Sequence, residues 1–308
     1  MILLYIVLLL IILFFAVVLY FFNLAFVRKD NTDIENLDSK HNSFLTPYTE
    51  ILNTGMEFIK NTEHTRYETV SFDGLKLSSR YYDRNSEKTI ILFHGYRSSA
   101  AHDFSCAVEM YYNMGFNILL VDQRSHGLSE GKLITFGVKE SKDVITWIDF
   151  LNAKFSPKKI VLSGLSMGAT TVLLALKYEM PQNVKCVIAD CGFTSPVDII
   201  KKVARQGFKI DASFYIPIMD FMCKIFGKFS IKNVSTVDTI KNTNMPIMLI
   251  HGTNDNFVPC EMSKTAFKSA NENSKLVLVD GADHGISFLV DTKRVVEELK
   301  EFLNKNLC

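Results

Sequence analysis

The stretch 158–177 constrains the fold of this chain more than any other, because it predicts a buried strand, a sharp turn and a helix. Between strand and helix stands Gly-Leu-Ser-Met-Gly, residues 164–168, a G-x-S-x-G turn in the context of a nucleophile elbow. We expect a side chain at Gly164 or Gly168 to collide with the neighbouring strand and helix, which forces Ser166 to an exposed position at the tip. The start of the helix would offer free N–H groups to a developing negative charge.

Apolar strands and helices alternate on both sides of this turn, and every polar motif follows a strand. Repeated βαβ units predict a mostly parallel central sheet with helices on both faces, so the fold class is α/β. An Asp73-Gly74 turn predicts an antiparallel hairpin before these units. Ligands of such sheets bind at the carboxyl ends of the strands. The further predicted strands of the alternating region are 89–93, 117–121, 184–189, 247–250 and 275–279.

The segment 194–243 interrupts the alternation with helical pieces and aromatic clusters. A connection of this length is usually functional. We therefore predict a helical cap that covers the site. The alternative is a packing excursion that has no role in substrate binding.

The N-terminal residues 1–22 carry no charged side chain, and the apolar run continues to residue 27. About 22 helical residues span roughly 33 Å, enough for the core of a bilayer. No Lys or Arg precedes the run and no clear cleavage site follows it, so we predict an uncleaved single-pass transmembrane helix rather than a signal peptide. Arg28 and Lys29 favour a cytoplasmic domain by the positive-inside rule, and an anchor that translocates its domain stays an alternative.

Three parts result from this division: a transmembrane anchor at 1–27, a tether with a short helix at 28–64, and an α/β domain at 65–308 that contains the cap. Within the second part, 30–42 is polar and charged. The segment 49–59 predicts a short amphipathic helix that packs on the domain or on the membrane surface.

Charge and cysteine content exclude several classes of function. The formal net charge is +1 with both signs interspersed, and no basic stripe carries interleaved aromatic residues, so we expect no nucleic-acid partner. The six cysteines form no C-x-x-C pair and have no histidine at zinc-ligand spacing. Free thiols and a reducing compartment are therefore favoured, and no metal site is predicted.

A serine nucleophile needs a base, and the base needs a carboxylate that orients it. His284 is the predicted base, because it lies in a glycine-flanked turn directly after the last predicted strand. Asp255 follows the preceding strand and is the predicted orienting acid. Asp190 and Asp283 are the alternatives. Ser166, Asp255 and His284 are thus the predicted catalytic residues.

An oxyanion hole requires two converging N–H donors. One is predicted at the backbone of Met167, directly after the nucleophile. The other is predicted at the backbone of Tyr96, in the loop after the strand that ends in His94-Gly95.

Five motifs occur in a single order along residues 65–305: HGYRSS, DQRSHGLSEG, GLSMG, HGTNDNFVP and GADHG. In this order they resemble the α/β-hydrolase superfamily, and most of all its bacterial membrane-anchored serine hydrolases of the monoacylglycerol lipase and serine aminopeptidase-like branch. The resemblance implies an α/β-hydrolase fold. The Ser, Asp and His of the last three motifs match Ser166, Asp255 and His284, in the chain order of that superfamily.

The sequence departs from many lipases and esterases in one loop. Their Gly-rich HGGG loop is absent, and Tyr96-Arg97 stands in its place. In the second motif, Asp122, Arg124 and His126 are expected to hold loop structure by hydrogen bonding rather than to act in catalysis.

The leading hypothesis is a membrane-anchored serine hydrolase that cleaves carboxylic esters through an acyl-enzyme, without a metal or organic cofactor. The anchor and the aromatic cap favour a small-molecule or lipid ester such as an acylglycerol. A peptidase or amidase is the alternative, and it would need a site for a free N-terminus, with Asp198, Asp211 and Asp220 of the cap as candidates. A non-catalytic membrane-bound binding module is the second alternative, and loss of a triad member would be its mark.

Overall fold

The computed structural model describes residues 1–29 and 43–307. The predicted tether at 30–42 and Cys308 lie outside the described residues. An eight-stranded sheet runs through the domain in the order β1-β2-β4-β3-β5-β6-β7-β8. Its strands are β1 (Thr65–Val70), β2 (Lys76–Tyr82), β3 (Lys88–Phe93), β4 (Asn117–Asp122), β5 (Lys159–Leu165), β6 (Val184–Asp190), β7 (Ile247–Gly252) and β8 (Lys275–Val279).

The direction of the strands follows the prediction. β1 pairs antiparallel with β2, and β2 pairs antiparallel with β4. All the other pairs, from β4 through β3 to β8, are parallel. The predicted mostly parallel sheet with an antiparallel hairpin at its start is confirmed.

Helices cover both faces of this sheet. Side chains of β5 alternate between the two faces, so that Val161 packs in one hydrophobic core while Ile160 and Leu162 pack in the other. The helices are α1 (Ile2–Phe26), α2 (Thr49–Asn61), α3 (Ala100–Asn113), α4 (Glu140–Lys154), α5 (Met167–Ala175), α6 (Pro196–Phe208), α7 (Ile216–Gly227), α8 (Thr236–Lys241), α9 (Glu261–Phe267), α10 (Ser287–Val290) and α11 (Thr292–Leu307).

Helix α2 packs on the domain, which decides between the two surfaces that the sequence left open. Leu52, Met56 and Ile59 are buried in the same core as α3. The two helices approach so closely that a Cβ built on Gly55 would lie 1.8 Å from the Ser105 carbonyl oxygen. The domain boundary at residue 65 stays a prediction.

Helix α1 is long and apolar enough to cross a membrane by length and composition. It is not isolated from the domain, because Val18, Phe22 and Phe26 in its second half are buried in a third hydrophobic cluster. Beyond its end, the Arg28 guanidinium donates to the carbonyl oxygens of Gly127 (2.8 Å) and Ser129 (2.7 Å).

The insertion between β6 and β7 contains α6, α7 and α8. Ile199, Ile216 and Met219 of this insertion belong to the same cluster as the end of α1. The insertion and the second half of α1 therefore form one apolar layer above the carboxyl ends of the strands.

Candidate active site

The tight turn between β5 and α5 carries Ser166 in a backbone conformation that side chains rarely adopt, with φ +55° and ψ −113°. A Cβ built on Gly168 would lie 1.8 Å from the Phe93 carbonyl oxygen of β3, and one built on Gly164 would lie 2.2 Å from the Gly168 carbonyl carbon. The predicted collisions at both glycines are confirmed.

The predicted exposure of Ser166 is wrong, because only 6% of this residue is exposed. The turn does place the serine at its tip, above the sheet. The sequence pattern of the turn carries no information on what covers it, and in the structure that cover is the cap together with the end of α1.

Replacing Gly168 with alanine is expected to lower the free energy of unfolding by about 3 kcal/mol, because the backbone of β3 must move to admit the methyl group. Gly207→Ala is the matched control, since Gly207 lies in α6 and a Cβ built on it would have no neighbouring atom within 4 Å. Alanine there should leave stability unchanged or raise it by up to about 1 kcal/mol. Denaturant unfolding of the full chain in detergent measures both, and equal stability of the two variants would contradict the packing described at the turn.

A chain of hydrogen bonds joins three of the predicted site residues. The His284 Nε2 atom lies 2.9 Å from Ser166 Oγ, and its Nδ1 atom lies 2.7 Å from Asp255 Oδ2. A carboxylate only accepts, so Nδ1 carries the proton and donates it to Asp255. Nε2 is then free to accept the hydroxyl proton of Ser166. This is the arrangement that a serine nucleophile and its base require.

The carboxylate of Asp255 is held ionised by its surroundings. Burial opposes ionisation, but hydrogen bonds from His251 and His284 outweigh it and lower the pKa of Asp255 to about 2. The other oxygen, Oδ1, accepts the backbone N–H groups of Phe257 (2.9 Å) and Val258 (2.7 Å).

His251, at the end of β7, is a contact that sequence reasoning missed. Its Nε2 atom lies 3.1 Å from Asp255 Oδ2 and 2.8 Å from the Val258 carbonyl oxygen. Its place four residues before the predicted acid in HGTNDNFVP was the available signal.

The two alternative acids are engaged elsewhere. Asp283 accepts the backbone N–H of His284 (2.8 Å), so its carboxylate serves the turn rather than the imidazole ring. The carboxyl group of Asp190 has a long contact of 3.5 Å with the Ser287 hydroxyl, and burial raises its pKa to about 6.

The loop after β3 adjoins Ser166, as the oxyanion prediction requires. A Cβ built on Gly95 would lie 3.4 Å from the Cβ of Ser166. Tyr96 follows Gly95 directly, and Met167 is the first residue of α5. The N–H of Met167 therefore belongs to the first turn of a helix, where no acceptor exists within the helix itself.

Buried side chains hold this loop in shape. The Arg97 N–H donates to Nε2 of His126 (3.0 Å), and the Gly95 N–H donates to Asp103 Oδ2 (2.6 Å). Burial lowers the pKa of His126 to about 3, so the ring stays neutral and its Nε2 remains an acceptor at ordinary pH. Sequence reasoning missed Asp103, which lies on a helix without a motif to mark it.

The loop after β4 is also built on buried polar contacts. The Arg124 guanidinium, 2% exposed, bonds to both oxygens of Asp143 at 2.6 Å and to both oxygens of Asp73 at 3.0 Å. Asp122 accepts the backbone N–H of Leu128 (3.1 Å). With His126, these contacts confirm that the second motif organises loops.

An apolar cavity of about 350 Å³ opens directly above Ser166. Such a volume lies within the range of small-molecule sites, about 300–1,000 Å³. Its walls come from α1, from the cap and from the loops around the site. None of the residues described around it is a carboxylate, and Arg97, its one charged neighbour there, donates to the carbonyl oxygens of Leu24 (2.7 Å) and Val27 (3.1 Å).

The three cap carboxylates that were candidates for binding a free N-terminus are used locally. Asp198 accepts the hydroxyl groups of Thr194 and Ser195 at the start of α6. Asp211 accepts the backbone N–H of Ser213. The partners of Asp220 are Ser230, Ile231, Lys232 and Lys224.

Cys191, Asp255 and His284 place possible metal-ligand atoms within 4.8 Å of one another. Both ring nitrogens of His284 already have partners, and burial holds the pKa of the Cys191 thiol well above its usual value. A metal prefers the thiolate, so this group fits a metal poorly. The other cysteines that the structure describes, residues 106, 186, 223 and 260, are free thiols like Cys191.

Comparison with known proteins decides the family. The model of the prolyl oligopeptidase family matches residues 103–308, which include the whole hydrogen-bonded chain from Ser166 to His284. The chain belongs to the prolyl oligopeptidase family. This membership, together with similar solved structures, confirms the α/β-hydrolase superfamily and its fold.

Among solved structures, the esterase Pf2001 of Pyrococcus furiosus is 27% identical to this family member, with a TM-score of 0.66 over 82% of this chain and 96% of that chain. The esterase RhEst1 of a Rhodococcus species, at 17% identity and a TM-score of 0.57, shares the fold over 78% of this chain and 99% of its own. Together, the family and these neighbours support an enzyme of the hydrolase class.

Curated relatives carry less functional information. The Bacillus subtilis protein YqkD, described as uncharacterized, is 24% identical over 71% of this chain and 72% of its own. The match with the Escherichia coli K12 protein YfhR, also described as uncharacterized, covers 65% of this chain and 64% of that protein at 24% identity. A narrower branch of the superfamily, a bacterial origin and a membrane anchor stay predictions.

Proposed function

We propose that this chain is a serine hydrolase that cleaves carboxylic esters through an acyl-enzyme. The hydrogen-bonded chain from Ser166 through His284 to Asp255, at the floor of an apolar cavity, is the observation that carries the proposal. His284 and Asp255 come from two distant loops, and His284 contacts the strained serine of the elbow.

In the proposed reaction, Ser166 Oγ attacks the acyl carbon of the ester while His284 Nε2 takes the hydroxyl proton. The ester C–O bond then breaks, and the same nitrogen protonates the departing alkoxide, so that an alcohol leaves and the acyl group stays on Ser166. Water attacks this acyl group with His284 again as the base, and the free acid and Ser166 are released. Asp255 keeps the proton on Nδ1 and stabilises the imidazolium.

The backbone N–H groups of Met167 and Tyr96 are the proposed oxyanion hole. Both belong to segments that adjoin Ser166, and the loop of Tyr96 is held by His126 and Asp103. Donors fixed in advance stabilise the developing oxyanion without the cost of reorganisation.

A peptidase or amidase is the second candidate, and membership of a family named for a peptidase favours it. The cavity supports an ester instead, because its described walls are apolar and carry no carboxylate that would bind a free amino terminus. The carboxylates of the cap, which the sequence suggested for this purpose, have other partners. The hydrogen bonds from Ser166 through His284 to Asp255 are all present, and this argues against a non-catalytic binding module.

We also propose that α1 anchors the protein in a membrane as a single span, and that the substrate is a small-molecule or lipid ester. The length and composition of α1 support the anchor. The apolar walls of the cavity favour the acyl chain of such an ester. The proposed reaction uses no metal or organic cofactor.

The experiment is covalent labelling with a serine-directed phosphonate, followed by hydrolysis of p-nitrophenyl esters from acetate to palmitate. Full-length protein in detergent should be labelled at Ser166, identified by peptide mass, and should turn over the esters. Labelling without turnover of any ester would move the peptidase or amidase ahead. Failure to label and to hydrolyse would contradict the proposed function.

A further inference from the structure

Helix α1 forms a wall of the cavity above Ser166. Val18, Phe21, Leu24 and Ala25 line it, and their spacing places them on one face of the helix. The lining residues at 24 and 25 lie about 10 Å along the helix axis from Val18, at a rise of about 1.5 Å per residue. Val18 therefore faces a part of the cavity that is distant from the end of α1.

The wall is fastened to the loop that carries the proposed oxyanion donor. The hydroxyl of Tyr96 donates to the Ala25 carbonyl oxygen (2.8 Å), and the Arg97 guanidinium donates to the Leu24 carbonyl oxygen (2.7 Å). These bonds join the end of α1 to the site. The end of α1 is therefore part of the substrate pocket as well as part of the proposed membrane anchor.

The cap packs along the second half of α1. Aromatic rings of the two meet at Phe14 with Phe214 (6.4 Å between centroids), and at Phe21 with Phe208 (5.1 Å). The part of α1 before Phe14, about 12 residues, is about 18 Å long. A bilayer core is about 30 Å thick, so this free part is too short to cross it.

If α1 crosses the membrane, the half of the helix that contacts the cap must therefore also lie within the hydrocarbon core. Part of the surface of the cap carries exposed apolar side chains that suit that environment. Phe214, Phe221, Ile225 and Phe226 are 70%, 61%, 55% and 62% exposed. Exposed apolar side chains of this kind mark interaction sites. Aromatic residues beside a membrane helix favour the boundary between the lipid headgroups and the acyl chains.

We propose that the cap is immersed in the leaflet beside α1, and that the cavity takes the acyl chain of a membrane-resident ester directly from that leaflet. The inference rests on the serine hydrolase function proposed above. The acyl chain moves from lipid into an apolar cavity without passing through water, and the α1 wall limits the length of chain that fits.

Substitutions at adjacent positions of α1 test the wall. Val18 lines the cavity and is 2% exposed, whereas Val17 is 38% exposed and lies outside it. In full-length protein in phosphatidylcholine vesicles, Val18→Phe should lower the ratio of kcat/KM for p-nitrophenyl palmitate to that for the butyrate at least tenfold. Val18→Ala should shift the preference toward longer chains, and Val17→Phe should leave it unchanged.

Lipid quenching of fluorescence tests the immersion. The one native tryptophan, Trp147, is buried in the domain core and gives the baseline. In vesicles of brominated phosphatidylcholine, the additional emission of Phe221→Trp should fall at least twofold relative to ordinary phosphatidylcholine. Tyr178→Trp is the control, since Tyr178 lies beyond the far end of α5 from Ser166, and its emission should not change.

Phosphonate labelling of every variant separates the two proposals. If wild-type Ser166 is not labelled, the proposed function fails. If labelling is retained while Val18→Phe and Val17→Phe show the same chain-length preference, the α1 wall is wrong and the hydrolase stands. Equal quenching of Phe221→Trp and Tyr178→Trp would overturn the immersion of the cap.

Discussion

Ser166→Ala is expected to lower kcat/KM for ester hydrolysis by at least about 10⁴-fold and to abolish phosphonate labelling. Alanine removes the Oγ that lies 2.9 Å from His284 Nε2, and no acyl-enzyme can then form. The residual rate should come only from substrate binding and the N–H donors. Initial rates on p-nitrophenyl butyrate, with the full chain in detergent, measure the effect.

Ser163→Ala is the matched control for this variant. Ser163 is also buried and lies on β5, the strand that leads into the elbow. Loss of its hydroxyl should cost about 1 kcal/mol of stability and change the rate only a few-fold. A rate of Ser166→Ala within tenfold of the control would show that hydrolysis does not proceed through Ser166.

Asp255→Asn is expected to lower kcat by about 10⁴-fold while the fold is retained. The asparagine amide can donate to His284 Nδ1, which moves the ring proton to Nε2. A protonated Nε2 cannot accept the Ser166 hydroxyl proton, so the base is lost although the geometry is kept. Phosphonate labelling should slow in parallel, since it needs the same base.

Asp283→Asn is the control on the alternative acid. Its carboxylate contacts the backbone of His284 rather than the ring, so kcat should change less than tenfold. Comparable losses in the two variants would contradict the assignment of Asp255 as the orienting acid.

The pH dependence of kcat/KM adds a second test of the role of Asp255. Because the pKa of Asp255 is lowered to about 2, the wild-type profile of kcat/KM should show no transition from this carboxylate between pH 4 and pH 9.

The lowered pKa of Asp255 also makes the stability of the folded protein depend on pH. Asp255 has a folded-state pKa below the ordinary value of 3.8, so it favours the folded protein above that pH. This contribution should disappear as the pH falls from 3.8 through 2. The effect of Asp190 has the opposite sign, because its folded-state pKa is raised to about 6: stability falls as the pH rises from 3.8 to 6, where the carboxyl ionises in the unfolded protein but not yet in the folded one.

Membership of the prolyl oligopeptidase family leaves the substrate class of this chain open. The family supports a hydrolase as a class, and the esterases among the solved neighbours share the fold. Neither decides between an ester and an amide. The walls of the cavity are the more direct evidence, because specificity depends on what contacts the substrate.

The sequence by itself determined the sheet and the elbow, because both depend on local patterns. Strand and helix periods predicted the parallel sheet, and the two glycines around Ser166 predicted a turn that tolerates no side chain. The positions of His284 and Asp255 after their strands were also predictable, since parallel strands bring their carboxyl ends to one edge of the sheet.

Contacts between distant segments were decided only by the tertiary structure. Asp103 beneath the loop of Tyr96 has no local pattern that marks it, and His251 beside Asp255 is marked only by its place in the motif of that acid. The same holds for α1: its composition predicts a membrane span, while Val18 and Phe21 face the cavity over Ser166. A uniformly apolar helix has no pattern that distinguishes a lipid-facing side from a protein-facing side, so only packing against the cap could assign one.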